Sequence, residues 1–470
     1  MQSQYLFKKL ESAVFYLLIF AVPVQARVIL YEWTRPFNQW TNTYLYGTDI
    51  LLVTLFVFWI IRIMAGSWKI SNFKFQISNE FLKPKFQILK FSTFWLVIFF
   101  VISAISIFNS RIVGLSFYQL LKLAEFIGFY FYLKSNFGKV FQFRTVLVII
   151  IASGLFQAVI GIVQYLKQGS ISLRLLGESP LSVNTTGVAI FFAGGEKYLR
   201  AYGTTPHPNI LAAWLFTTIF ALCFYFLHRD TKKNPPEVQR TKDGLLLFVY
   251  IILLFALFST FSRVVVGLWV LGTLAGFLAV FFKKEFRRDL ILKQKIFKIF
   301  VVSVIAATVF SLIYWPQVNS RIHISGQDPA FSERVFYNKI AESVAVSHPL
   351  LGIGIGQFVP DFMFKYKHLP ATAYQPVHNI YLLIASETGF IGFSVFLLFL
   401  FFSFWHFIRC ADFKKLFSFL FFIFSFLFLL VGIFDHFLWT SQQGSLIFWM
   451  ALALISINSH KISTRKVLLA

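Results

Sequence analysis

The chain has 470 residues, 58% of them hydrophobic and only 13% charged, with a formal net charge of +24 and 64 phenylalanines. A soluble globular chain carries about 45–50% apolar and about 25% charged residues, so this one has too few charges to cover a water-facing surface. That excludes a soluble enzyme, a disordered chain and a nucleic-acid binder built on a basic globular face, and leaves a polytopic membrane protein.

A membrane-crossing helix takes roughly 17–25 mostly apolar residues. Twelve segments fit: 13–31, 44–64, 92–108, 114–133, 145–166, 208–227, 244–261, 264–282, 299–315, 378–405, 416–434 and 442–459. The expectation is an all-α membrane protein of about 12 transmembrane helices, a single polytopic domain over 1–470. Lys8 and Lys9 precede the first apolar run, and no small-x-small cleavage pattern is evident around Pro23, Gln25 and Arg27. The run therefore reads as a retained span, not a removed signal peptide. The connections 1–12, 62–91, 134–144, 228–243, 283–298, 406–415 and 460–470 hold 29 Lys/Arg and 8 acids, against 13 and 10 on the other side. Basic loops stay in the cytoplasm, so both termini are expected there, and the positive charge calls for no nucleic-acid partner.

Between the spans, KFQI occurs at 74–77 and again at 85–88 among phenylalanines. That pattern suits a basic-aromatic segment on the anionic inner leaflet. Lys122 and Glu125, three residues apart in the fourth span, read as an ion pair, or as a relay if the protein is a transporter. Cys223 and Cys410 lie in or beside apolar runs and read as small core hydrophobes. Nothing in the cysteine and histidine spacing suggests a metal site.

Two outer connections are long, 167–207 and 316–377. Long connections of this kind are functional or disordered. The second contains a helical stretch, with Ser332 as its cap, Val335, Phe336, Ile340, Ser343 and Val344 on one face and Pro349 as its end, which predicts an ordered layer. In the first, Arg200 to Pro208 leads into Asn209, a good N-cap for the sixth span. A helix N-terminus beside Arg200 and His207 would hold an anion; the other reading is a proline-rigid turn with a capping Asn. Arg263 sits on the tight turn between the seventh and eighth spans. There it either meets an anion, a carboxylate or a wet cavity, or snorkels to lipid phosphates.

Glu333, Arg334 and His348 precede Gly352-Ile353-Gly354-Ile355-Gly356. With no strand before it, the glycine run reads as a tight backbone passage and not a nucleotide loop. His378-Asn379 opens the tenth span. A histidine at the membrane face can be neutral and act as a general base, or can serve as an interfacial or capping residue. Glu387 lies nine residues further on, about 13.5 Å along a helix. It needs a partner, for chemistry or for a structural hydrogen bond, and Gly389 and Gly392 admit a close neighbour. Asp435 and His436 receive no role from their neighbours in sequence.

Together these motifs resemble the O-antigen ligase and O-antigen polymerase-like superfamily of polytopic lipid-linked glycan transferases. The resemblance rests on Arg200-x-x-Gly203-Thr204-x-x-His207-Pro208-Asn209, on Ser262-Arg263, and on Glu333-Arg334 through Pro349-Leu350-Leu351-Gly352-x-Gly354-x-Gly356. The fullest match is His378-Asn379 followed by Gly389-x-x-Gly392, whereas Gly267 stands where a leucine would complete an Arg-x-x-x-Leu motif after Arg263. The resemblance implies a GT-C-like fold with a large, partly helical extracytoplasmic loop in the plasma (inner) membrane. It also implies transfer of a glycan from an undecaprenyl-pyrophosphate carrier to a glycolipid, glycan or protein acceptor on the outer face, with no cofactor and no required metal. On that pattern Arg200 and Arg263 would clamp the pyrophosphate and His378 would be the general base. His207, Asn209, Arg334 and Glu387 would shape the site. Repeat-unit polymerisation and protein O-glycosylation differ only in the acceptor. A polysaccharide flippase is the reading from another class, and Lys122 with Glu125 is the one feature that favours it.

Overall fold

The structure is a computed structural model that describes residues 2–67, 84–228, 235–322 and 329–457. In chain order it runs α1 (Gln2–Ala21), β1 (Arg27–Glu32), β2 (Asn42–Tyr46), α2 (Gly47–Ser67), α3 (Pro84–Ser106), α4 (Val113–Asn136) and α5 (Phe143–Lys167). There follow β3 (Ile190–Ala193), β4 (Glu196–Leu199), α6 (Pro208–His228), α7 (Pro236–Ser259), α8 (Arg263–Phe282), α9 (Lys284–Arg287) and α10 (Leu290–Ile313). The last third holds α11 (Trp315–Ile322), α12 (Pro329–Ser347), α13 (Phe358–Lys365), α14 (Ile380–Cys410), α15 (Leu416–Phe434), α16 (Phe437–Thr440) and α17 (Gln442–Ser456).

In lipid every backbone N–H and C=O must be satisfied within its own segment, which is why long apolar runs fold as helices. A helix lies at each of the twelve expected segments. Among the described residues eight are long and apolar enough to cross a membrane: α2, α3, α5, α6, α7, α8, α10 and α14. Ser418–Phe434 and Gln442–Ser456 are shorter apolar helices. The first expected span, 13–31, is too long. Its helix stops at Ala21 and Arg27–Glu32 is a strand paired with Asn42–Tyr46. Pro23 explains the stop, because the residues just before a proline resist the helical conformation. The first KFQI copy lies outside the described residues, and the second falls in the opening turns of α3.

α6 is apolar all round and mostly buried, with α5, α7, α8, α10 and α17 against it. α3 and α14 form the most extensive helix pair, and Ser103 and Ser403 return their hydroxyls to the carbonyls of Phe99 and Phe399 inside it. The Lys122–Glu125 pair is part of a larger cluster: Lys122 Nζ lies 2.5 Å from Glu125 Oε2 and 2.7 Å from Asp49 Oδ1. The side-chain amide of Gln442 also donates to Asp49 at 2.6 Å. It ties α2, α4 and α17 together, the work of a structural ion cluster.

The second long loop has its own core, in which Tyr337, Ile340, Ala341 and Val344 of α12 meet Phe358 and Phe362 of α13 and Tyr374 and Val377 of the segment that follows. The expected helix is present but starts earlier, at Pro329, so Ser332 is not its cap. Pro suits a first helical turn, whose N–H groups have no intrahelical partner. Val335 and Phe336 face outward and the buried face is centred on Tyr337 and Ala341. The glycine run is the tight passage that its spacing implied. Gly352, Gly354 and Gly356 all have positive φ, and a Cβ on Gly354 would stand 2.1 Å from Ser110 Oγ. Gly389 breaks α14 with φ +69, so that Phe390 N donates to Pro349 O at 2.7 Å.

Candidate functional site

Two glutamines of α5 fix the strap that carries Arg200 and His207. Gln164 Oε1 accepts from the backbone N–H of Tyr202 and Gly203, and its amide donates to Gly203 O. Gln157 accepts from Thr204 N and donates to the Thr204 hydroxyl. Ala201 N donates to Ser259 O, which pins the strap to the end of α7. From there Arg200 Nε reaches Thr260 O at 2.6 Å and its Nη2 reaches Asn209 Oδ1 at 2.6 Å.

Asn209 was expected as the N-cap of this helix, and the structure corrects that. Pro208 begins α6, and His207 does the capping: its carbonyl accepts from Ile210 and Leu211, and its Nδ1 accepts from Asn209 N at 3.2 Å. Asn209 is one residue inside the helix, so its side chain is released for another task. It accepts from Arg200 and donates through Nδ2 to Asp435 Oδ2 at 2.6 Å. Asp435 follows α15, and His436 behind it bonds the Thr440 hydroxyl at 2.6 Å.

His378 stands before α14, whose N-terminus is capped by Asn379: its Oδ1 accepts from Tyr381 N and Leu382 N. The cap thus comes from Asn379 and leaves the imidazole of His378 for other work. The ring lies 5.0 Å from that of His436 and 5.8 Å from that of Tyr337, centroid to centroid. His378 Nδ1 is buried with no hydrogen-bond partner.

These side chains converge on a cavity of about 190 Å³. Arg200, His207 and Asn209 line it from the first long loop and α6, and Ser262 and Arg263 from the α7–α8 turn. Arg321, Glu333, Arg334 and Gln375 line it from the second long loop, His378 from just before α14, and Asp435 from beyond α15. Glu387 is absent from the lining. Its carboxylate accepts from Phe358 N at 3.3 Å and its carbonyl from Gly354 N at 2.9 Å, so it braces the glycine run, the structural alternative raised for it.

The cavity concentrates positive charge. Burial, with Arg321 beside it, pushes the Arg200 guanidinium down to about 9, which still leaves it charged at neutral pH. Burial lowers His207 and His436 to about 3, and lowers His378 against the pull of Asp435. All three imidazoles are therefore neutral at pH 7. Burial raises Asp435, but the surrounding histidines and the Asn209 hydrogen bond outweigh it and leave the carboxyl at about 2. Neutral imidazole beside fixed cations is suited to taking a proton from a hydroxyl while an anion is held nearby.

Sequence reasoning missed Arg321, Asp435 and His436. Arg321 lies in a stretch with no motif, and Asp435 and His436 are distant in sequence; packing brings Asp435 to the cavity wall and His436 against the ring of His378.

Residues 248–397 match a family described as O-antigen ligase, a stretch that runs from within α7 into α14 and includes Arg263, Arg334, the glycine run and His378. No curated protein matches the chain. The match covers about a third of the chain and agrees with the resemblance drawn from the motifs that lie within it.

Proposed function

We propose, with the O-antigen ligase match as premise, that the protein transfers a glycan from an undecaprenyl-pyrophosphate carrier to an acceptor hydroxyl on the outer face of the plasma membrane. The observation that supports this reading best is the meeting of Arg200, Arg263, Arg334 and His378, from three distant stretches of chain, around one cavity. The donor is already activated by its leaving group, so two tasks remain: to meet growing negative charge and to deprotonate the acceptor. Arginine forks pair with phosphate oxygens, and in this reading Arg200 and Arg263 hold the pyrophosphate where a metal ion would otherwise neutralise it. His378 takes the acceptor proton, the acceptor oxygen attacks the anomeric carbon from the face opposite the phosphate, and the bond to the carrier breaks with inversion. Arg334 and His207 shape the site, and Asn209 steers Arg200.

The bond from Lys122 to Asp49 as well as to Glu125, joining α2 to α4, supports the structural reading of that pair over the relay that a transporter would need. Ligase, repeat-unit polymerase and protein O-oligosaccharyltransferase share this chemistry and differ in the acceptor. The test uses purified protein in lipid with an undecaprenyl-pyrophosphate glycan and a panel of acceptors, and follows release of undecaprenyl pyrophosphate. Release that requires both an acceptor and His378, lost in His378→Ala, is the expected result, and the productive acceptor separates the three activities. Release from His378→Ala at the wild-type rate would remove the general base. Movement of the intact lipid-linked glycan across the bilayer without release would mean a transporter.

A further inference from the structure

Three arginines are gathered around one tight turn. Arg263 opens α8, and Arg200 reaches Thr260 O at 2.6 Å. Arg321, near the end of the short helix α11, donates through Nη2 to Phe261 O at 3.4 Å. Thr260 and Phe261 are successive residues, so the guanidiniums of Arg200 and Arg321 are anchored on neighbouring carbonyls. Phe261 has φ +46, a left-handed conformation in a residue with a side chain. Such backbone costs about 1–3 kcal/mol and persists only where its surroundings enforce it. Here Phe191 of β3 packs on the Phe261 ring at 4.5 Å and lies 5.8 Å beneath the Arg321 guanidinium. α11 itself packs on β3, so the two long outer loops meet at this point and set the position of Arg321.

Two guanidiniums held side by side at a buried site repel each other, and the repulsion from Arg321 is the largest charge effect on Arg200. An anion between them attracts both and offsets that repulsion. The charges of the cavity walls agree. Without Arg321 the lining would carry three arginines against Glu333 and Asp435, a surplus of one; with it the surplus is two. A pyrophosphate esterified at both ends carries one negative charge on each phosphate, which this surplus matches.

We propose that Arg321 is a further ligand of the pyrophosphate, sharing one phosphate with Arg200 while Arg263 serves the other. The assignment rests on the reading of the cavity as a pyrophosphate site. In the transfer step the acceptor proton passes to His378, the new bond forms at the anomeric carbon, and the electron pair of the broken C–O bond stays on the pyrophosphate. The leaving group gains a charge there, and a second guanidinium on one phosphate stabilises it.

The test is direct binding of inorganic pyrophosphate, with inorganic phosphate as comparison, to the full chain in lipid nanodiscs, and it needs no turnover. Arg321→Gln should weaken pyrophosphate binding by about tenfold or more, the scale of one charged hydrogen bond. Arg321→Lys should fall between, since it keeps the charge and loses the fork. If Arg321→Gln binds as wild type does while Arg263→Gln is weakened, Arg321 is not a ligand and the reading of the cavity stands. If wild-type protein binds no pyrophosphate, that reading and this assignment fall together. Should Arg321→Gln not fold, as judged by thermal melting, Arg321→Lys decides, and an affinity equal to wild type would overturn the proposal.

Discussion

Asp435 stands where the polar contacts of the cavity converge. It receives the amide of Asn209, which in turn receives Arg200, and its carboxylate is the charge that draws the pKa of His378 upward against burial. A general base works in its neutral form, so the rate should fall as pH drops through the His378 pKa. Because burial places that pKa below 6.5, the acid limb of kcat/KM should have its midpoint below pH 6.5. Asp435→Asn removes the anion, so the limb should move to still lower pH, and the weaker neutral acceptor should loosen Asn209, and Arg200 with it, and reduce the rate. A reduced rate with an unmoved limb would leave Asp435 a role in holding Arg200 only. Arg263→Ala should reduce transfer by about 10²–10³-fold, the cost of removing one group that stabilises transition-state charge. Full transfer with unchanged donor affinity in that variant would remove Arg263 from the clamp.

At the scale of elements, the site depends on backbone passages that only glycine permits. Gly389 has φ +69, and a Cβ there would lie 2.2 Å from Leu350 O. Gly389→Ala should therefore destabilise the protein by more than the roughly 1–3 kcal/mol of the backbone strain alone. Gly267, inside α8 with nothing within 4 Å of the place a Cβ would take, is the contrast. Gly267→Ala should stabilise the protein by the roughly 0.5–1 kcal/mol that alanine gains over glycine in a helix, seen as a slightly higher melting temperature. Equal melting temperatures for the two variants would contradict the account. Much of this was readable beforehand: apolar runs announce helices, and the alternation Gly352-x-Gly354-x-Gly356 announces a close passage. The hairpin at Gly194-Gly195 is legible only in part, since paired glycines favour a tight two-residue turn but the second strand, Glu196–Leu199, opens on two charged residues and shows no apolar run. The tasks of Asn209 and Asp435 were not legible. Whether an asparagine caps a helix or bridges two charges depends on a one-residue shift in where the helix begins, and on which distant element packs against it.

The molecule as a whole keeps three imidazoles neutral in a cationic, buried setting, and that links its stability to pH. Unfolded histidines take up protons near pH 6.5, whereas folded His207 and His436 resist until about 3. Between those values unfolding binds protons, so stability should be flat above pH 7 and fall as pH drops below about 6.5. Asp435, held at about 2 against 3.8 when unfolded, adds a loss only below about pH 4. Thermal melts in detergent across pH 5 to 8 measure this, and a melting temperature that rises on acidification would contradict neutral burial.

The proposed function also makes orientation decisive, because it has the cavity take its donor from the outer side of the membrane. Leu175, 96% exposed in the first long loop, and Lys284, exposed at the start of α9, belong to opposite faces in the positive-inside arrangement. Of the native cysteines, Cys410 is buried and Cys223 only partly accessible, so background labelling should be low. In intact cells an impermeant maleimide should label Leu175→Cys at once, and Lys284→Cys only after permeabilisation. The reverse pattern would put the cavity in the cytoplasm, beyond reach of an outer-leaflet donor, and the arginines would then have to serve a different anion.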